Sequence, residues 1–177
     1  VLVFALLTIV IFNFAIDPTP RVVALVAPGV LWVAFTFGGI LGLTRSFGAE
    51  KDRGNLQGLL LAPVGRDAIF FGKMLGIFLF MLVVEIIVFP IFVVLYNLSP
   101  SLPGLIPVAL LATLGYAAVG TLFSAMALST RSREVMLPLL FLPAVLPVIV
   151  AAVEASGTAF GGDGGTDLTR WIPLLAV

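Results

Sequence analysis

Residues Thr44 to Lys73 read TRSFGAEKDRGNLQGLLLAPVGRDAIFFGK and stand between two long apolar runs. Five of the chain's nine Lys and Arg residues fall here: Arg45, Lys51, Arg53, Arg66 and Lys73. The sequence on either side is nearly all hydrocarbon. A charged block flanked by runs long enough to cross a bilayer decides the fold class. The spacing predicts an all-α, polytopic transmembrane helix bundle with one polar island where a soluble partner could grip it.

Composition agrees. Of 177 residues, 61% are hydrophobic and 10% charged. Mean hydropathy is +1.25. A soluble domain is typically about half apolar and a quarter charged. The net charge of zero gives no bulk attraction to nucleic acid. There is no Cys, which excludes disulfides, thiolate metal sites and a thiol nucleophile. There is no His, the commonest ligand for metal and haem and the usual proton shuttle. No catalytic residue and no metal site is expected. No cofactor bound directly to this chain is expected.

A spanning helix needs about 20 mostly apolar residues. Candidates are Val1 to Ile16, Val22 to Leu43, Ile69 to Tyr96, Ile106 to Leu128 and Val135 to Val153, with a sixth beginning near Trp171. The chain opens inside an apolar run, without Met or a basic flank, and it lacks the layout of a signal peptide. It reads as one transmembrane domain over 1–177, a fragment with five helices of an expected six. The 44–73 and 130–134 connections hold seven of the nine basic residues, leaving only Arg21 and Arg170 elsewhere. By the positive-inside rule the charged block, with its coupling segment 44–68, is expected to face the cytoplasm.

Within the block, Glu50 to Leu61 can form a short surface helix. Leu56, Leu59, Leu60 and Pro63 recur at i, i+3, i+4 and i+7 and make one apolar stripe. Glu50, Lys51, Asp52, Arg53 and Gln57 lie largely off it. Physics alone balances a helix lying on lipid against a docking element for a cytoplasmic protein. Asp67 is placed to cap the third long helix.

Inside the membrane, Gly38 and Gly42 form a GxxxG spacing that admits a close neighbour. Pro90, Pro143 and Pro147 each remove a ladder hydrogen bond and should bend their helices, whereas Pro138 should fall in a first turn. Glu85 stands mid-helix within VVEII. A carboxylate at the bilayer centre costs about 2.5–3.5 kcal/mol on insertion scales, so it should face the interior. It reads either as a substrate-path or gating residue or as a neutral carboxyl bonded between helices. Thr36, Tyr116, Thr121 or Ser124 would be its partner in the second case. Glu154 reads as an interfacial anchor ending the fifth helix. The Gly161–Gly165 run reads as a flexible outer loop, and the Asn97–Ser99 glycosylation triplet is of a kind common by chance. No GxxxxGK[ST] occurs, so this chain does not hydrolyse ATP by itself.

The run from Glu50 through Arg66, followed by Gly72-Lys73, resembles the cytoplasmic loop of type-2 ABC exporter permeases. That pattern has an acidic-basic start, a Gly, a Leu-rich helix, a Pro, an Arg and a Gly-Lys. Gln57 departs from it, standing where an acid is common. Three further features resemble the haem exporter B family, CcmB, of cytochrome c maturation. They are Phe12-Asn13-Phe14-Ala15, Glu85 with Phe89-Pro90-Ile91-Phe92, and Leu137 to Pro143 with Pro147.

The resemblance implies a six-helix permease of the bacterial inner membrane, multi-pass, paired with a second copy of itself and a separate ATPase, CcmA. It further implies CcmC, CcmD and the haem chaperone CcmE as partners, with ATP-driven motion helping to load or release the chaperone. In this reading the Glu50–Leu61 helix is the coupling element. Leu56, Leu59, Leu60 and Pro63 dock on the ATPase, and Arg53 and Arg66 fix the orientation. The alternatives are a type-2 exporter of a drug, lipid or polysaccharide, a secondary transporter using Glu85 as a proton site, and a scaffold.

Overall fold

The computed structural model describes residues 1–16, 19–52, 65–99, 101–127 and 133–160. Among them the chain forms five helices: α1 (Leu2–Ala15), α2 (Pro20–Asp52), α3 (Arg66–Leu95), α4 (Leu102–Ala127) and α5 (Arg133–Ala159). Each of the first five apolar runs becomes one helix, as hydrocarbon requires, because only a helix satisfies its own backbone there; the expected sixth, near Trp171, lies outside the described residues. Pro20–Arg45, Asp67–Leu95, Leu102–Ala127 and Met136–Gly157 are long and apolar enough to cross a membrane, and α1 is a shorter apolar helix. The chain is a multi-pass helical membrane protein.

Helix α2 is the centre. It packs extensively against all four others, and α4 and α5 form the largest single pair. Its small residues set how closely the neighbours approach. A methyl on Gly38 would lie 3.4 Å from Val1 Cγ1 on the α1 side. One on Gly42 would lie 2.9 Å from Phe80 of α3. The first is an ordinary van der Waals contact, and only the second is too short for a side chain to fit without a shift. The tightest is at the intervening Gly39, where a methyl would lie 2.7 Å from the Tyr116 ring of α4. Across the same interface, Gly120 of α4 accommodates Leu43, whose Cδ1 would be 2.8 Å from an added methyl.

Polar groups complete the joints. The Trp32 indole donates to Ser156 Oγ at 2.9 Å, joining α2 to α5. The Tyr116 hydroxyl donates to the Thr36 carbonyl at 2.8 Å, joining α4 to α2. Tyr116 also meets Phe141 of α5 edge-on, with centroids 4.9 Å apart. At the far end, Tyr96 Oη donates to the Ile9 carbonyl at 3.1 Å and Asn13 Nδ2 to the Leu95 carbonyl at 3.2 Å, joining α1 to α3.

Four boundaries differ from the sequence reading. Helix α2 does not stop at Leu43; it continues unbroken into the charged block, since no proline follows Pro28 to end it. Glu50, Lys51 and Asp52 are thus its last described turn, and the rest of the expected coupling helix, 53–61, lies outside the described residues. Asp67 does not cap α3: Gly65 is the N-cap, and Asp67 offers its charge to the first turn instead. Helix α5 begins at Arg133 and runs to Ala159, which puts Pro138 inside it rather than in its first turn. It also leaves Glu154 exposed within the helix rather than ending it.

The C-terminus of α3 shows why the chain turns where it does. Asn97 adopts φ 49°, the left-handed region that Asn tolerates. Leu98 N–H donates to Val93 O and Asn97 N–H to Val94 O, the paired bonds of a Schellman cap. The glycosylation-like triplet is therefore a helix stop.

The glycine contacts predict opposite outcomes for two alanine substitutions on α2. Gly39→Ala should lower the thermal unfolding midpoint of the purified protein, at a cost of about 1–3 kcal/mol for overpacking. Gly29→Ala, where nothing lies within 4 Å of the added methyl, should leave the midpoint unchanged or slightly raised. Tryptophan fluorescence on heating measures both, and equal shifts would contradict the packing described.

Candidate functional site

Glu85 lies on α3 within the Asp67–Leu95 span and is 7% exposed. It faces the bundle, as the cost of a carboxyl in lipid demands. The Thr113 hydroxyl of α4 donates to Glu85 Oε1. Thr113 is thus a hydrogen-bond partner of the carboxyl across the α3–α4 interface.

None of the four partners considered from sequence fills this role. The Tyr116 hydroxyl goes to the Thr36 carbonyl, and the Thr36 hydroxyl to Trp32 O within its own helix. The Thr121 hydroxyl goes to Ala117 O. Ser124 Oγ is buried with no partner among the described residues. Depth is the signal that was available. Helices α3 and α4 are antiparallel and share the turn near residue 98. At about 1.5 Å per residue, Glu85 lies roughly 15 Å in from the end of α3 and Thr113 roughly 16 Å in from the start of α4. Ser124 lies roughly twice as deep on the same count.

Glu85 also lines a groove of about 330 Å³ between α2, α3 and α4. Trp32, Phe35 and Phe89 are among its walls, with Leu105, Ala109 and Leu110 of α4 opposite. Ile86 and Ile106, 70% and 54% exposed, form its rim. Pro90 follows directly in α3, and Pro143 and Pro147 lie within α5. They are helix-interior as expected, and neither α5 proline lines this groove.

A second, larger cleft of about 840 Å³ lies between α1, α2 and α3 at the end that leads into the charged block. Gly42, Gly72 and Gly76 open its walls, and Arg45 and Lys73 line it. Of the expected ATPase-contacting residues, Arg53, Leu56, Leu59, Leu60 and Pro63 lie outside the described residues. Glu50, Lys51, Asp52 and Arg66 are on described backbone at the adjoining ends of α2 and α3, with side chains outside the description.

Comparison with known proteins adds a family. The family model described as CcmB protein matches residues 1–177. Several curated relatives named heme exporter protein B match over most of their length. That of Paracoccus denitrificans is 28% identical over 177 residues, covering 99% of this chain and 80% of the relative. That of Haemophilus influenzae is 29% identical over 166 residues, covering 90% and 75%. That of Rhodobacter capsulatus is 28% identical over 154 residues, covering 86% and 71%.

The Glu85–Thr113 bond gives a direct expectation. Thr113→Val keeps the shape but removes the donor, and should destabilise the folded protein by about 1–3 kcal/mol. Thr113→Ser should restore most of the loss. Thermal unfolding in detergent checks the pair; a valine variant as stable as the parent would show that the bond contributes nothing.

Proposed function

The chain belongs to the CcmB protein family, and on that footing we propose that it is the permease subunit of an ABC-type complex serving cytochrome c maturation. Its relatives carry the name heme exporter protein B. The subunit would sit in the bacterial inner membrane with the charged block in the cytoplasm, paired with a second copy. A separate ATPase, CcmA, would supply hydrolysis, because this sequence has no phosphate-binding loop. CcmC, CcmD and the haem chaperone CcmE would be the membrane and periplasmic partners, with motion of the subunit helping to load or release the chaperone.

The single observation that carries the coupling mechanism is the continuity of α2. One unbroken helix of 33 residues runs from the centre of the bundle to Glu50, Lys51 and Asp52. At about 1.5 Å per residue it is roughly 50 Å long, well beyond a hydrocarbon core of about 30 Å. A force applied by an ATPase at its charged end would reach Trp32 and Thr36 without crossing a loop. Leu56, Leu59, Leu60 and Pro63 would fill an apolar groove on that ATPase, and Arg53 and Arg66 would fix its orientation. Glu85 would serve as the polar group along the moving seam.

Reversing charge at Lys51→Glu and Arg53→Glu, together with Leu59→Asp, should abolish co-purification with the ATPase. The same variant should lose c-type cytochromes on a haem-stained gel of membranes. Unchanged ATPase binding with normal cytochrome yield would rule out the coupling element. Normal cytochromes in a strain lacking this chain would rule out the maturation role itself.

A further inference from the structure

The 840 Å³ cleft between α1, α2 and α3 joins two unlike linings. Toward the charged block it holds two cations, Arg45 and Lys73. Arg45 is the last residue of the apolar span of α2, and Lys73 lies just inside that of α3, which begins at Asp67. Farther along α3, Ile77, Phe80, Met81 and Val84 make apolar walls. Among the described residues no Asp or Glu lines the cleft. We propose that it binds an anionic phospholipid, with the phosphate between Arg45 and Lys73 and one acyl chain lying against α3.

Depth along the helices matches a head and a tail. At about 1.5 Å per residue, Lys73 lies roughly 9 Å from Asp67, and Val84 roughly 16 Å farther along α3. One leaflet is half of a hydrocarbon core of about 30 Å, so the apolar wall is about one acyl chain long. Phe70 and Phe71 form an edge-on pair just before Lys73, with centroids 5.8 Å apart and Phe71 60% exposed. Aromatic rings collect at the headgroup level, which sets Lys73 at the depth of a lipid phosphate.

Charge selects the head. The Thr44–Lys73 block carries five cations against three acids, Glu50, Asp52 and Asp67. Basic pockets between spanning helices recruit anionic headgroups for this reason. A zwitterionic lipid would bring its own ammonium against Arg45 and Lys73. A soluble anion would use the cations and leave the apolar walls unfilled. Space for the chain comes from Gly72 and Gly76, where an added methyl would meet nothing within 4 Å. Phe80 and Val83, which line the cleft, are 45% and 55% exposed, so a chain can enter between the helices.

The test uses the purified chain in neutral detergent, with pyrene-labelled phosphatidylglycerol as probe. Unlabelled phosphatidylglycerol, phosphatidylcholine with the same chains, and inorganic phosphate compete. Saturable binding is expected, with phosphatidylglycerol preferred over phosphatidylcholine by about tenfold. Phosphate alone should not displace the probe, and the preference should fall as salt rises. Arg45→Gln should remove most of the preference, and Gly76→Phe, which puts a ring into the cleft, should remove binding. Arg21→Gln deletes a cation at the opposite end of α2 and should change neither. Thermal unfolding shows which variants are folded. Arg45 is exposed, so its replacement tests the site even where Gly76→Phe does not fold. Equal competition by the two lipids, full competition by phosphate, or an unchanged preference in Arg45→Gln would overturn the proposal. So would a folded parent with no saturable binding, the result expected if a second copy of the chain fills the cleft. The assay contains no ATPase, so its failure leaves the permease reading standing, and the reverse.

Discussion

In hydrocarbon an indole N–H, a hydroxyl or a carboxyl has no water to turn to, and that constraint fixes how α2 sits in this bundle. Trp32 and Thr36 lie one turn apart on it. The first donates to Ser156 of α5, and the backbone carbonyl of the second accepts from Tyr116 of α4. Both bonds must be made at once, so α2 has one rotation and one depth that satisfy them. Gly39 then follows as a consequence. With Tyr116 drawn to the Thr36 carbonyl, its ring passes where a side chain on Gly39 would stand. Dispersion and small residues let the helices touch, as is usual in membranes. The hydrogen bonds choose which of many close contacts is adopted.

Much of the architecture was legible because it depends on composition. Five apolar runs separated by polar or proline-bearing segments leave little freedom in the number and order of helices, and the glycines on α2 announced close approach. What the sequence hid were features set by rotation and depth. Thr113, Tyr116, Gly120 and Ser124 share one face of α4, all buried. Residue type alone does not say which of them meets Glu85. Only their common distance from the α3–α4 turn separates Thr113 from the rest. Boundaries were hidden for another reason. Proline inside α5 and glycine inside α2 are poor helix formers in water, yet the bilayer penalises an open backbone more than it penalises these residues. The helices therefore run past the points where soluble propensities would end them.

The joints divide the bundle unequally. Helices α2, α4 and α5 are held by hydrogen bonds and by the Tyr116–Phe141 ring pair. Helices α1 and α3 are held to each other by Tyr96 and Asn13. Ser101 N–H, donating to Ala159 O at 3.0 Å, ties the turn before α4 to the end of α5 and strengthens the first group. Between the groups, among the described residues, Glu85 with Thr113 is a polar link, and apolar packing continues along α3 and α4, at the Phe92–Phe160 ring pair, and at Gly38 and Gly42. Apolar contacts are non-directional and tolerate small displacements, whereas a hydrogen bond weakens steeply once its geometry is lost.

A push along α2 from the charged block would therefore not slide that helix through its neighbours. Sliding by even one residue would break the Trp32 and Tyr116 bonds together and drive Gly39 off the Tyr116 ring. Under the proposed coupling, α2, α4 and α5 would move together, carried by the Trp32 and Tyr116 bonds. Both openings in the structure, the 840 Å³ cleft and the 330 Å³ groove, lie along that boundary and would change shape together. Glu85 stands where the two groups of helices meet, bonded to Thr113. A carboxyl at such a seam can hold one arrangement through Thr113 and exchange that donor for another as the seam opens. An apolar residue there would give packing but no discrimination between the two arrangements.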